Sequence, residues 1–113
     1  MSEALTDHDF LDVCGLRLRI STQTLTNALR VQKVRLSWHE VAILATLMRR
    51  YPAPVTRAEM LRAMYGKRPI PATAVCILRN NVCGVQRLLT ALETVAKVRL
   101  VRGVGYVLVA PCP

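Results

Sequence analysis

The side chains in this sequence that are best suited to chemistry are hydrogen-bond donors for an anion, and the clearest of them is Arg102. It stands in the segment V-R-G-V-G-Y between two short apolar runs, where Gly103 and Gly105 indicate a slim turn at the tip of a hairpin. A guanidinium held at such a tip can enter a minor groove of DNA, where negative potential is concentrated. The motif therefore predicts an exposed cation directed at a polyanion.

A second set of donors lies in the segment before the hairpin, between Thr73 and Thr94, where apolar residues recur at helical spacing. The predicted buried stripe of this helix is Val75, Leu78, Val82, Val85, Leu89 and Leu92. The opposite face carries Arg79, Asn80, Cys83, Gln86 and Arg87. A helix with one apolar face and one face of donors can pack against a core and read the edges of bases in a major groove.

The charge of the chain is strongly positive and unevenly distributed. Sixteen lysines and arginines against seven acidic residues give a formal net charge of +9 and a pI near 10.3. Four of the acidic residues lie in the first 12 positions, which hold no lysine or arginine. We therefore expect an acidic amino-terminal arm over residues 1–12, one basic domain over residues 13–110 and a tail over residues 111–113, with nucleic acid as the partner of the basic domain.

Neither catalysis nor metal binding is indicated by any pattern in the sequence. It contains no Ser-His-Asp set, no paired carboxylates and no phosphate-binding loop, and the four cysteines at 14, 76, 83 and 112 include no C-x-x-C pair. We expect a protein that is not an enzyme, that has no metal or other cofactor, and that keeps its thiols reduced in the cytoplasm. Cys76 and Cys83 are seven residues apart and would share a helix face, so both could be small packing residues. The most apolar stretch, V-A-I-L-A-T-L-M from Val41, has only eight residues, so no membrane span is predicted.

The elements that must position these side chains can be predicted from the rest of the chain. Residues 13–36 contain L-R-L-R-I and R-V-Q-K-V-R-L-S, whose alternation predicts a small antiparallel sheet. S-W-H-E from Ser37 and T-R-A-E from Thr56 are capping boxes that begin two helices, which end near Tyr51 and Gly66. The predicted core residues of these two helices are Val41, Leu44, Ala45, Met48, Met60, Leu61 and Met64. The order of sheet, three helices and hairpin predicts an α+β fold, a winged helix-turn-helix.

Three motifs carry a resemblance to a known family: L-S-W-H-E from Leu36, V-T-R-A-E-M-L from Val55, and V-R-G-V-G-Y-V-L from Val101. In this order they resemble the first two helices and the wing of the OmpR/PhoB-type DNA-binding domain, and the likeness covers about residues 13–110. The resemblance implies a regulator of transcription whose third helix lies in the major groove, whose wing arginine enters the adjoining minor groove, and whose copies often bind direct repeats in pairs. Many members carry a phosphorylated receiver domain ahead of this domain, and we expect none here because the sheet begins about a dozen residues after Met1.

The resemblance also implies contacts with DNA phosphates outside the third helix and Arg102. Tyr65 stands where the family has a tryptophan. Thr56 and Arg57 lie at the amino terminus of the second helix, where free amides favour an anion. Lys97 and Arg99 flank the wing.

The third helix departs from the pattern of the family at three positions that are usually basic. Here they are Gly84, Gln86 and Leu88, which leaves Arg87 as the clear cation, although Arg79 could replace the missing charge one turn earlier. Gln86 could still pair with adenine. Glycine inside a helix costs roughly 1 kcal/mol relative to alanine, so Gly84 could be there to permit close approach to DNA or to a partner helix.

Three functions fit these features. The leading hypothesis is a sequence-preferring regulator that binds double-stranded DNA. The second is a winged-helix interaction module that binds RNA polymerase or another regulator, with Gly84 and Leu88 as its surface. The third is a nucleoid-type protein that coats DNA without regard to sequence. In each case the acidic arm could fold back over the basic face and weaken nonspecific binding.

Overall fold

The structure, a computed structural model, describes residues 10–27 and 32–110 of the 113-residue chain. Within these ranges the chain forms seven strands and three helices. The strands are β1 (Phe10–Val13), β2 (Leu16–Arg19), β3 (Thr24–Asn27), β4 (Gln32–Arg35), β5 (Val55–Thr56), β6 (Lys97–Val101) and β7 (Gly105–Val109). The helices are α1 (Trp38–Arg50), α2 (Arg57–Tyr65) and α3 (Ala74–Ala91). This order confirms the predicted α+β winged helix-turn-helix.

The amino-terminal sheet is antiparallel, with the strand order β1-β2-β3-β4. Its alternating pattern places Leu16, Leu18 and Leu25 on an inner face that belongs to the core, and directs the arginines of β2 to the opposite side. The first strand begins at Phe10, so the sheet includes three residues that the sequence analysis assigns to the acidic arm. The rest of the arm, the predicted tail and part of the second alternating segment lie outside the described residues.

Both predicted capping boxes are present and begin the first two helices. The Ser37 hydroxyl accepts a hydrogen bond from the Glu40 amide at 3.3 Å, while the Glu40 carboxylate accepts one from the Ser37 amide at 2.8 Å. Thr56 and Glu59 form the same pair of bonds at the start of α2, both at 3.1 Å. The predicted core residues of the two helices are buried, apart from Leu61, which packs half-buried against the same core.

The third helix ends three residues earlier than the predicted Thr94. Glu93 adopts a φ of +56°, and a left-handed residue at this point stops the helix. The prediction for Val75 is wrong, because its side chain is 43% exposed and Ala74 takes the inward position one turn before Leu78. The other five residues of the predicted stripe are buried. No helix in residues 10–27 and 32–110 combines the length and the apolar character that crossing a bilayer requires.

The cysteines correct two expectations from the sequence. Cys14, in the turn between β1 and β2, is disulfide-bonded, so the prediction that all thiols are reduced is wrong. Its Sγ lies 3.3 Å from the carbonyl oxygen of Ala110. Cys76 and Cys83 are free thiols, but both are exposed rather than packed, because they lie on the side of α3 that faces away from the buried stripe.

The carboxyl-terminal hairpin of β6 and β7 joins β5 in a three-stranded antiparallel sheet of order β5-β7-β6. Its tip is a turn closed by a 3.0 Å hydrogen bond from the Val104 amide to the Val101 carbonyl, and Gly103 has the φ of +76° that the third residue of a type II turn requires. Gly105 is buried, and a Cβ at this position would overlap the carbonyl oxygen of Val55. Gly105 therefore permits the close pairing of β7 with β5, which is a different task from the slim turn suggested by the sequence.

Candidate nucleic-acid interface

The outer face of α3 presents a continuous set of polar side chains. Arg79, Asn80, Cys83 and Arg87 are exposed, and none of them forms a hydrogen bond or ion pair with another residue in the described part of the chain. Their spacing of three and four residues aligns them on one side of the helix. The buried stripe of Leu78, Val82, Val85 and Leu89 holds the other side in the core. The predicted donor face is thus fixed in position by the packing of the helix.

Gln86 differs from the other residues of the predicted donor face, because its side chain is already used within the domain. Its Oε1 accepts a 2.8 Å hydrogen bond from the Val98 amide, which links α3 to strand β6 of the wing. A bidentate contact with adenine uses both the oxygen and the nitrogen of the amide. Gln86 would have to break the bond to Val98 to make such a contact. The sequence indicates only a possible base reader at position 86, because a side-chain bond to the backbone of another element leaves no local pattern.

Gly84 has a specific neighbour in the domain, the carboxylate of Glu40 in the first capping box. A Cβ added to Gly84 would come closer to Glu40 Oε2 than van der Waals contact allows. Since Glu40 Oε1 is bound to the Ser37 amide, the carboxylate cannot move away without weakening the cap of α1. The missing side chain therefore allows α3 to approach the amino terminus of α1.

We expect this contact to appear as coupling between positions 84 and 40. With Glu40 present, the gain in helix propensity from Gly84→Ala, about 1 kcal/mol, should be cancelled by displacement of the carboxylate. With Glu40→Ala, the same substitution should raise the free energy of unfolding by about 1 kcal/mol, because the obstacle is gone. Urea denaturation of the two single variants and the double variant measures the coupling. Equal effects of Gly84→Ala in both backgrounds would contradict this explanation.

The wing tip presents Arg102 to solvent. Its side chain is exposed and forms no hydrogen bond or ion pair with another described residue, and its neighbours Gly103 and Val104 are exposed too. The hydrogen bond between Gln86 and Val98 ties the strand that leads to this tip to α3. The helix face and the wing tip are therefore parts of one packed unit.

Lys97 and Arg99 lie on the outer face of the hairpin. Both are exposed, while Val98 between them packs against the core. Because strand residues alternate between faces, the side chains of Lys97 and Arg99 leave the hairpin on the face opposite to the one that packs on the core and α3. The structure therefore does not bring them together with the donor face of α3.

The residues predicted at α2 are engaged within the domain to different degrees. The Thr56 hydroxyl accepts a hydrogen bond from the Glu59 amide and lies 3.0 Å from Glu59 Oε1, so this helix terminus already holds a carboxylate. Arg50 forms an ion pair with the same carboxylate. Arg57 is exposed without such a contact in the described residues.

Tyr65 is half-buried at the end of α2, beside an aromatic and a cationic side chain. Its ring lies 5.5 Å from the ring of His39, and the guanidinium of Arg68 lies 5.8 Å from its centroid. Arg68 also donates to the carbonyl oxygens of Met64 and Tyr65 at 3.3 and 3.2 Å, which closes the end of the helix. The ring of Tyr65 is therefore held in place, as a residue that presents a hydroxyl to a phosphate would need to be.

Asn27 positions the helix in a way that the sequence does not indicate. It is buried at the end of β3, and its Nδ2 donates a 2.7 Å hydrogen bond to the carbonyl oxygen of Leu92. The carbonyls at the end of a helix have no partner within the helix, so this bond satisfies one of them and attaches the end of α3 to the amino-terminal sheet. An asparagine between two strand-like segments is typical of a turn, which is why sequence analysis does not assign it this contact.

Comparison with known proteins agrees with this arrangement. Three solved structures superimpose over most of their length. The DNA-binding domain of Escherichia coli CadC matches with a TM-score of 0.74 and 11% identity, covering 91% of this chain and 94% of that one. The C-terminal domain of the nisin resistance regulator NsrR, a lantibiotic response regulator, matches with a TM-score of 0.73 and 23% identity, covering 89% and 98%. The DNA-binding domain of the response regulator AdeR, solved in complex with an intercistronic region, matches with a TM-score of 0.71 and 17% identity, covering 88% and 99%.

These structures establish the shared fold. A sequence comparison with curated proteins gave no significant match. The family model described as "Transcriptional regulatory protein, C terminal" matches residues 31–108, which is more than half of the chain and includes all three helices and most of the wing. The chain therefore belongs to the family of carboxyl-terminal domains of transcriptional regulatory proteins, the OmpR/PhoB-type DNA-binding domains.

Proposed function

We propose that this DNA-binding domain recognises duplex DNA with a preference for sequence, with α3 in the major groove and Arg102 in the adjoining minor groove. The observation that carries the proposal is the outer face of α3, where Arg79, Asn80 and Arg87 are exposed without partners in the described residues. Uncompensated donors fixed on a helix by a packed core are suited to base edges and phosphates.

The other predicted site residues have different roles in this proposal, according to what each side chain contacts. Cys83 lies at the centre of the helix face and would be covered by the duplex, and Arg57 and Tyr65 contribute to phosphate binding from α2. Thr56 maintains the cap that orients α2, and Gln86 maintains the angle between α3 and the wing. Lys97 and Arg99 add positive charge from the outer face of the hairpin and attract the duplex at longer range.

The interaction module with RNA polymerase or another regulator has less support. The space where a side chain of residue 84 would stand is occupied by the Glu40 carboxylate, and Leu88 is half-buried against the core. Neither residue presents the apolar surface that a partner protein would need at its centre.

The proposal can be tested with the native thiol of Cys83. We expect a saturating duplex to slow alkylation of Cys83 by N-ethylmaleimide at least about tenfold, because the bound DNA excludes the reagent from the exposed face of α3. Peptide mass spectrometry follows the reaction, and fluorescence anisotropy on the same samples shows that the duplex is bound. The Cys76→Ser variant removes the other free thiol of the helix, so that any change belongs to position 83.

Two results of this experiment would contradict the proposal. One is unchanged alkylation of Cys83 under conditions where anisotropy shows saturation, since DNA would then bind elsewhere. The other is no binding of any duplex at low salt, because phosphate neutralisation by these cations should be strongest there.

A further inference from the structure

The outer face of the amino-terminal sheet is a second cationic surface, remote from α3. The strand register aligns two rows of side chains across the four strands. They are Phe10, Arg19, Thr24 and Arg35 in one row, and Asp12, Arg17, Thr26 and Lys33 in the other. We call these eight residues, together with Thr22, the sheet cation face. We propose that the sheet cation face binds the phosphate backbone of a second DNA duplex, so that one domain can hold two duplexes.

The cations of this face are close together and oriented. Adjacent rows are about 7 Å apart and alternate strands about 10 Å apart, so Arg17, Arg19, Lys33 and Arg35 occupy the corners of a small rectangle. The guanidinium carbons of Arg17 and Arg19 lie 4.9 and 4.4 Å from the centroid of the Phe10 ring. Both guanidiniums therefore lie beside the same ring, which keeps these two cations next to each other at one corner of the sheet.

Among the described residues, the sheet cation face carries four cations and one acid, so its net charge is positive. Asp12 pairs with Arg17, with 2.8 Å between Arg17 Nε and Asp12 Oδ1, and the hydrogen bond together with the charge of Asp12 raises the pKa of Arg17. Lys33 and Arg35 form no ion pair with another described residue. Because exposed charges of like sign repel each other, such a cluster is stabilised by an external anion.

The shape and composition of the face favour phosphate over the surface of a partner protein. A cavity of about 280 Å³ opens there between cationic, hydroxyl and aromatic groups. Its lining residues are Phe10, Arg17, Arg19, Thr22, Thr24, Thr26 and Lys33. Arginine, lysine and threonine are all among the side chains that contact DNA phosphates. The large apolar residues that are exposed in the described part of the chain, such as Trp38 and Leu100, lie on other elements, so the face lacks the apolar centre of a protein interface.

The sheet cation face points away from the helix proposed to bind DNA. The buried residues Leu18, Leu25 and Asn27 define the inner face of the sheet, and Asn27 on that side reaches Leu92, at the carboxyl end of α3. Arg17, Lys33 and the other cations lie on the reverse side. A duplex seated on α3 would have to bend strongly around the domain to reach them, and the stiffness of DNA opposes such a bend. A second duplex meets the face without that cost.

This inference extends the proposed function to another surface, and the test keeps the two apart. The full chain is loaded on a duplex attached to beads and washed, and a fluorescent free duplex is then added. We expect the native chain to retain the fluorescent duplex. Lys33→Glu and Arg35→Glu should each lower retention at least about fivefold, while anisotropy of a single dilute duplex changes less than about threefold. Arg49→Glu, the same reversal of charge at an exposed position of α1, should leave retention unchanged.

Each other outcome overturns one of the two proposals. Retention that persists in Lys33→Glu and Arg35→Glu, for instance because two copies join the duplexes, overturns the second site, as does a native chain that retains nothing at low salt. A fall in single-duplex affinity equal to the fall in retention also overturns it, because the face would then contact the first duplex. If Arg87→Glu leaves both measurements unchanged while Lys33→Glu abolishes retention, the site on α3 fails and the sheet cation face stands.

Discussion

Gly105→Ala is expected to lower the free energy of unfolding by about 3 kcal/mol, the upper part of the range for overpacked sites. The new methyl group would overlap the carbonyl oxygen of Val55 and lie 2.9 Å from the Cα of Thr56. Both obstacles are backbone atoms, so no side-chain rotation can relieve the clash. Moving β7 away would break its pairing with β5 and disturb Thr56, which caps α2. The substitution therefore damages the wing and the second helix together.

Gly103→Ala is the matched control for this prediction, because it adds the same methyl group two residues away, in the turn of the same hairpin. Gly103 has a φ of +76°, but a Cβ there would have no neighbour within 4 Å, so only backbone strain of about 1–2 kcal/mol is expected. Urea denaturation of both variants gives the comparison. If Gly105→Ala costs no more than Gly103→Ala, the close approach of β7 to β5 is not a constraint on the fold.

Charge reversal on the proposed DNA-binding surface is expected to have a large effect on affinity. Reversing the charges of Arg87 and Arg102 together is expected to weaken duplex binding at least about 100-fold at low salt, since a good arginine contact contributes about 1–3 kcal/mol and a repulsive charge is added. Each single reversal should cost about tenfold and reduce the dependence of affinity on salt by about one phosphate contact. Both side chains are exposed and lie outside the core, so the fold should be unaffected.

Arg49→Glu provides the control, because it reverses the charge of an exposed arginine on α1, away from the donor face of α3. Its affinity should stay within about threefold of the native value, which is the contribution of net charge alone. Fluorescence anisotropy over a series of salt concentrations measures the native chain and the four variants. A loss at Arg49→Glu as large as that at Arg87→Glu would show that DNA responds to total charge and not to this surface.

The parts of the fold that the sequence predicts correctly are those fixed by local interactions. Ser37 with Glu40 and Thr56 with Glu59 identify two helix starts, because each capping box closes within four residues. The hairpin around Arg102 is equally local, since its turn type depends on Gly103. The donor face of α3 follows from periodicity alone, which needs no knowledge of what covers the other side.

The parts that sequence analysis misses depend on contacts between distant segments. Gly84 against Glu40 and Gly105 against Val55 join positions about 40 to 50 residues apart, and no pattern in one segment indicates what will lie opposite the other. Gln86 is a similar case: its amide could read a base, but its oxygen accepts a hydrogen bond from the Val98 amide, twelve positions along the chain. The sheet cation face depends on how the four strands are aligned with one another. This register is set by the turns between the strands, and the alternation of apolar and polar residues within each strand does not specify it.

The central claim is that the outer face of α3 and the tip of the wing together form a surface that distinguishes between DNA sequences. It is tested most directly by selecting a preferred duplex from a genomic pool and titrating it beside a shuffled duplex of equal composition, at 50 and 200 mM salt. We expect the preferred duplex to bind at least about tenfold more tightly than the shuffled one, with Arg102→Ala reducing that advantage, and we expect affinity to fall about 1,000-fold between the two salt concentrations. Equal affinity for the two duplexes in the native chain, or an advantage that Arg102→Ala and Arg87→Ala both leave intact, would contradict it.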